Sequence, residues 1–179
     1  MRRFRRPFAR RPRRPTKWAA SQDIITNQAG GTLVELVLLT EGDYSENTNL
    51  SPSGVTMVRM VGGLHLHRNT VAASTTFSVR AAIIAGDSDE NGAFGGNFDP
   101  DVVATLIDER VLWIDEKEDQ LVLAAPTNAW VDGWNVKFDI RQKVKLHNTT
   151  VSMFLNIRTG STSVSGNVWT RSLVMGAMT

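Results

Sequence analysis

The chain contains no cysteine. That excludes a disulfide framework, thiolate zinc sites, iron–sulfur ligation and cysteine nucleophiles, and suits a reducing compartment. Long apolar runs are missing too. Leu36–Leu39 is a purely aliphatic stretch, but it falls far below the roughly 20 residues that span a bilayer. No membrane partner is expected. The basic N-terminus is followed by no apolar stretch, so it does not read as a secretory signal. Neither a G-x-x-x-x-G-K-[ST] phosphate loop nor a G-x-S-x-G nucleophile elbow occurs, which argues against a packaging ATPase and a serine hydrolase. Heptads and internal repeats are also absent. The expected role is not enzymatic.

What is present is one domain and a tail. The 179 residues are 41% apolar and 21% charged, a balance that supports a folded core. The charge is unevenly placed. Of 20 Lys and Arg, nine fall in residues 1–17, which hold no acid. Residues 18–179 therefore carry 11 basic against 18 acidic residues, a net of −7. The division expected is a disordered basic arm over 1–17 and a shell-like folded body over 18–179.

The arm reads MRRFRRPFARRPRRPTK. Pro7, Pro12 and Pro15 prevent a continuous helix, and like charges keep it extended, with a reach of about 50 Å. Its cations are Arg2, Arg3, Arg5, Arg6, Arg10, Arg11, Arg13, Arg14 and Lys17. Guanidinium forks pair bidentately with phosphate and stack on bases, which ammonium does not. Phe4 and Phe8 add rings for unpaired bases. The arm reads as a nucleic-acid-binding segment without sequence preference; a localisation signal is the compatible second reading.

The body shows period two, not 3.6. Leu33–Leu39, Val55–His67, Thr75–Ala85, Val111–Ile114, Leu121–Ala125, Val136–Leu146, Val151–Ile157 and Val168–Met175 make eight candidate strands. Gly62-Gly63 suggests a bulge. Ser51-Pro52-Ser53-Gly54, Asp132-Gly133 and Gly160-Ser161 read as turns. Asp99-Pro100-Asp101 before Val102–Ile107 reads as a capped short helix. Eight strands with long connections suggest an all-β, eight-stranded double-sheet jelly roll. An immunoglobulin-like sandwich remains the alternative, because periodicity does not choose between them.

These features resemble the coat proteins of small non-enveloped viruses. The stretches that carry the likeness are MRRFRRPFARRPRRP, VTMVRMVGGLHLH from Val55, TTFSVRAAIIAG from Thr75 and VKFDIRQKVKL from Val136. The nearest likeness is to the circovirus-like group with circular single-stranded DNA; coat proteins of satellite RNA viruses share the plan. The resemblance implies a jelly roll and self-assembly into an icosahedral shell of about sixty copies. It also implies arms directed at a packaged single-stranded genome, DNA ahead of RNA. The place would be the virion, and the host nucleus during assembly in a eukaryote. The competing functions are a cellular single-strand-binding β protein and a cupin-like metalloprotein.

Several body residues are candidate site residues. Lys137, Arg141, Lys143 and Lys145 share one face of a strand, with Asp139 among them. In an otherwise acidic body that face is a second candidate for nucleic acid. Asp87-Ser88-Asp89-Glu90-Asn91-Gly92 matches the first half of a calcium loop. The candidate cofactor is therefore structural Ca²⁺ at Asp87, Asp89 and Asn91. Phe98 stands where a closing Glu is needed, so a polar turn is the competing reading. His65 and His67 project from one strand face, a metal-ligand spacing without the following Glu of cupins. Trp113, Trp130, Trp134 and Trp169 read as core or subunit-contact residues.

Overall fold

The computed structural model describes residues 16–29, 31–40, 43, 55–69, 74–87, 111–122, 131–158 and 163–176. The alternating stretches become nine strands among these residues. They are β1 (Thr16–Ala29), β2 (Thr32–Leu39), β3 (Thr56–Arg68), β4 (Ser74–Asp87) and β5 (Val111–Val122), then β6 (Val131–Ile140), β7 (Val144–Lys145), β8 (Thr149–Ile157) and β9 (Ser163–Met175). The first sheet runs β1-β9-β3-β6, with β7 also paired to β3; the second runs β2-β8-β4-β5. Every pairing is antiparallel.

The pairing pattern decides the fold. With the two-residue β7 set aside, eight long strands remain. The first pairs with the last, the second with the seventh, the third with the sixth and the fourth with the fifth. That is one long hairpin rolled over on itself and closed by β3·β9 and β4·β8. It is the double-sheet jelly roll. An immunoglobulin sandwich would put its first two strands in one sheet; here β1 and β2 lie in different sheets.

The core fills the space between the sheets. Met60, Leu64, Leu66, Val168 and Val174 meet Phe77, Val79, Ile83, Met153 and Leu155. Alternation sends Ala82, Ile84 and Phe154 to the opposite side of the second sheet, where Leu33 and Val111 pack against them. The chain passes from the first sheet to the second through Gly31, whose φ of 81° suits a residue without Cβ.

Five sequence expectations change. β1 carries no apolar alternation to read: among its described side chains only Ile25 is buried in the core, although exposure alternates along it. It is held by its ladder to β9, and that ladder includes Thr16 and Lys17. The last two residues assigned to the arm by charge therefore belong to the sheet. Second, Val111–Ile114 and the Leu121-Val122 start of the next candidate join into β5 across a charged segment, Asp115 to Gln120, paired along β4, while residues 123–125 lie outside the described residues. Charge on an edge strand blunts unwanted strand addition. Third, Gly62-Gly63 is not a bulge. Its register with β6 runs straight, and the irregularities fall at Met57/Arg59 and Leu66/His67 instead. A Cβ on Gly62 would collide with the Trp169 carbonyl oxygen and the Phe138 ring. The glycine allows close approach, not a kink. Fourth, Asp132-Gly133 lies inside β6, not in a turn; a Cβ on Gly133 would stand 2.9 Å from the Phe77 ring. Fifth, Val136–Leu146 breaks after Ile140 and resumes only as β7.

The expected helix over 99–107 and the turns at 51–54 and 160–161 lie outside the described residues. So do the arm before Thr16 and the loop after Asp87.

Candidate nucleic-acid interface

Strand register sets the residue at which the arm joins the body level with the second basic segment. Thr16 pairs with Met175, Met175 with Thr56, and Thr56 with Lys145. The root of the arm and Lys145 thus lie in one row across one end of the first sheet. Inward residues identify the other face. Val168, Thr170, Ser172 and Val174 of β9 are buried, so Trp169, Arg171 and Leu173 point outward. Phe138 and Ile140 of β6 are buried, so Lys137 and Asp139 point outward. Trp18, Ala20, Gln22 and Ile24 of β1 are exposed on the same side. Read across the sheet, one row is Gln22, Trp169, Gly63, Lys137, and the next is Ala20, Arg171, Val61, Asp139.

Asp139 organises two of the cations. Arg59 Nε donates to its Oδ1 at 2.8 Å and Nη2 to Oδ2 at 2.9 Å. Arg141 Nε and Nη2 donate to Oδ2 at 3.1 and 2.8 Å. The hydrogen bonds from Arg59 first, then those from Arg141, hold the carboxyl well below its usual range. The same bonds raise Arg59. The linkage sign follows for a depressed acid. Its contribution is present above the unfolded pKa and is lost only as pH falls through the folded one. The cluster therefore persists throughout neutral and mildly acidic conditions. It is exposed, so it adds little to stability; its consequence is that Arg141, read from sequence as available, is partly occupied. Lys137, Lys143 and Lys145 are exposed.

The opposite side of the sandwich has another character. Glu35, Glu116 and Glu118 are exposed there, and Arg80 is paired to Glu116 at 2.8 Å. A cleft of about 380 Å³ on that side is lined by Arg80, Lys117 and Arg158 together with Glu116 and Glu118. Mixed charge does not gather a polyanion. On the first sheet's outer face Arg59, Lys137, Arg141, Lys145 and Arg171 outnumber the acids among the described side chains, which are Asp139 and, at the β1 edge beside Trp18, Ala20 and Gln22, Asp43.

The tryptophans divide. Trp134 is buried and Trp113 packs on Phe138 at 5.3 Å between centroids, as core residues should. Trp169 is 43% exposed and Trp18 45%. The Arg171 guanidinium stands 5.4 Å from the Trp18 ring centroid. Trp130 lies outside the described residues. Sequence reasoning missed Arg59, Arg171 and Trp18 as site residues. Arg59 follows a register shift that scrambles parity, and Trp18 sits in a strand that carries little apolar pattern.

His65 and His67 do share a face, with ring centroids 6.0 Å apart. Among the described residues no group of three or more His, Asp or Glu is placed to hold a metal. Asp87 ends β4, while Asp89 and Asn91 of the candidate calcium loop lie outside the described residues.

Replacing Asp139 with Asn should release both guanidiniums. Affinity for single-stranded DNA should rise at low salt, and the log–log salt slope should steepen by about 0.7 to 1.4. Fluorescence titration at several salt concentrations reads this. An unchanged slope would mean that Arg59 and Arg141 do not reach phosphate.

No family model matches the chain, and no curated protein matches it. Solved structures with a related outline include the empty head of turnip yellow mosaic virus, at 12% identity and TM-score 0.40, covering 100% of this chain and 89% of that one. Turnip yellow mosaic virus itself gives 12% and 0.41, covering 94% and 96%. A semi-empty particle of Macrobrachium rosenbergii nodavirus gives 9% and 0.39, covering 95% and 98%. These likenesses are weak, and the jelly-roll assignment rests on the strand pairing.

Proposed function

We propose that the chain is the coat subunit of a small non-enveloped virus of the circovirus-like, circular single-stranded DNA type. It assembles into a closed icosahedral shell and gathers its genome through the arm. One observation carries this reading. Thr16, where the arm joins β1, and Lys145 share one row at the end of the first sheet, whose outer face also carries Lys137, Arg59 and Arg171, while the other face of the jelly roll is mixed in charge. A subunit polarised in this way has a side for a polyanion and a side for solvent or neighbours. Nine arm charges in each of about sixty copies supply on the order of 540 positive charges, enough to neutralise a short single strand. The charged edge strand β5 disfavours open-ended strand addition, which suits a closed shell built through side chains and loops. The subunit would reside in the virion, and in the host nucleus during assembly.

Electron microscopy of the purified full chain tests the proposal. Uniform closed particles are expected, with nucleic acid that DNase removes and RNase does not once the particles are opened. Exposed Trp18 and Trp169 favour one second reading, a cellular single-strand-binding protein. That protein would bind oligonucleotides yet give no closed particles.

A further inference from the structure

We infer that the outer face of the first sheet is a stacking platform for unpaired nucleotides. Trp169 and Trp18 take bases, and Arg171 and Lys137 take the phosphates beside them. The natural ligand follows from the packaging reading above, on which this inference rests. The surface itself follows from the geometry.

One exposed indole would be ordinary, but Trp18, Trp169 and Ile24 are all exposed on the same face of one strand pair, and apolar surface gathered in this way marks a contact site. The position of Trp169 is built, not incidental. Its ring lies over Gly63, where an added Cβ would stand 2.8 Å from Nε1 and 3.1 Å from Cε2. Any side chain at 63 would push the indole off the sheet. Glycine inside a strand weakens it unless something fills the space; here the ring does, and it still keeps 43% of its surface open. Lys137 is the next residue of the same row and Gln22 the previous one. Trp18 lies on the neighbouring strand, opposite Leu173. Four residue steps therefore separate the two indoles along the sheet, about 14 Å. Arg171 lies between them in register and already stands over the Trp18 ring.

Aromatic faces alternating with cations are what single strands use: every base has a π-face, and the phosphates supply the charge. A duplex hides its bases, so the platform selects unpaired strands. The same face of a second copy is a poorer occupant, since like charge would meet like. Thr16, where the arm joins β1, lies one row from Trp18 at the end of this sheet, so a strand bound by the arm is within reach of the platform.

The test uses the full chain with two probes of equal length and phosphate count: oligothymidylate and an oligomer whose bases are removed. Wild type should prefer the base-bearing strand by about tenfold or more. Because Phe4 and Phe8 can also stack on bases, changing both Trp18→Ala and Trp169→Ala in a chain that also carries Phe4→Ala and Phe8→Ala should bring the two probes to parity while leaving the salt slope unchanged. Trp169→Tyr should keep most of the preference. Trp18→Ala alone, on an exposed edge-strand position, gives a partial loss and covers the case in which losing the ring over Gly63 impairs folding. Equal affinity of wild type for both probes overturns the platform. So does a preference that survives both tryptophan substitutions in the chain that also carries Phe4→Ala and Phe8→Ala. Particles are imaged in the same preparations. Particles with probe parity sink the platform and spare the shell; base preference without particles sinks the shell and spares the platform.

Discussion

Deleting residues 2–15 should leave the body folded and abolish genome packaging. The segment holds eight of the nine arm charges and ends just before β1. The described core takes nothing from it: every core residue lies at Ile25 or beyond. Melting of the truncated chain should therefore stay close to that of the full chain. Binding should not. Eight phosphate contacts with a single strand correspond to a salt slope of about −5 to −6. Losing them should cost on the order of a thousandfold or more in affinity at low salt. The remaining face, with Lys137, Lys143, Lys145, Arg59 and Arg171, should give a shallower slope. Changing only Arg2, Arg3, Arg5 and Arg6 to Ala should flatten the slope by about three units, equally for unrelated sequences. The readouts are the ratio of absorbance at 260 to 280 nm in assembled particles and titration of free protein. Truncated particles that carry a full complement of nucleic acid would show that the arm is not the packaging element.

The largest effect on stability should come from Phe77→Ala. Phe77 is fully buried in β4 of the second sheet, yet it reaches across to the first. Its ring faces Gly133 of β6, which has room for it only because it lacks a Cβ. The Arg68 guanidinium of β3 lies 4.9 Å from the ring centroid. Arg68 Nη2 also reaches Asp119 of β5 at 3.3 Å, while its Nε and Nη1 are buried without hydrogen-bond partners. One ring therefore bridges β4 of the second sheet to β3 and β6 of the first. Its removal should cost about 3–5 kcal/mol, a large share of the roughly 5–15 kcal/mol that holds such a domain. Denaturant titration measures it. Arg68→Met is the informative partner. A half-satisfied buried cation costs desolvation, and an apolar residue of similar length should be close to neutral or slightly stabilising. If Arg68→Met instead costs as much as Phe77→Ala, the ion pair and not the packing holds the junction.

Sequence alone went a long way on this chain, because two of its signals are local. Charge density marks the arm within any short window, and no folding is needed to read Arg2 to Arg14. Side-chain alternation is equally local. It places Phe77, Val79, Ala81 and Ile83 on the core side and finds most of β2, β3, β4, β8 and β9. The absence of cysteine and of phosphate-loop and nucleophile motifs is likewise a property of the string.

Other features are decided between segments. β1 and the middle of β5 lack an apolar pattern, and partner strands supply their order through backbone bonds. Parity fails wherever the register slips, which is why Arg59 escapes notice until its carboxylate partner, Asp139, is found 80 residues away. Glycines look alike in sequence. Only the neighbour across the sheet tells that Gly62 admits a backbone, Gly63 an indole and Gly133 a phenyl ring. The choice of jelly roll over immunoglobulin sandwich is a matter of which strand pairs with which, and alternation carries no such information. The face proposed for nucleic acid is non-local for the same reason. Trp18, Arg171 and Lys137 are scattered along the chain, and antiparallel register places them on one surface beside the root of the arm.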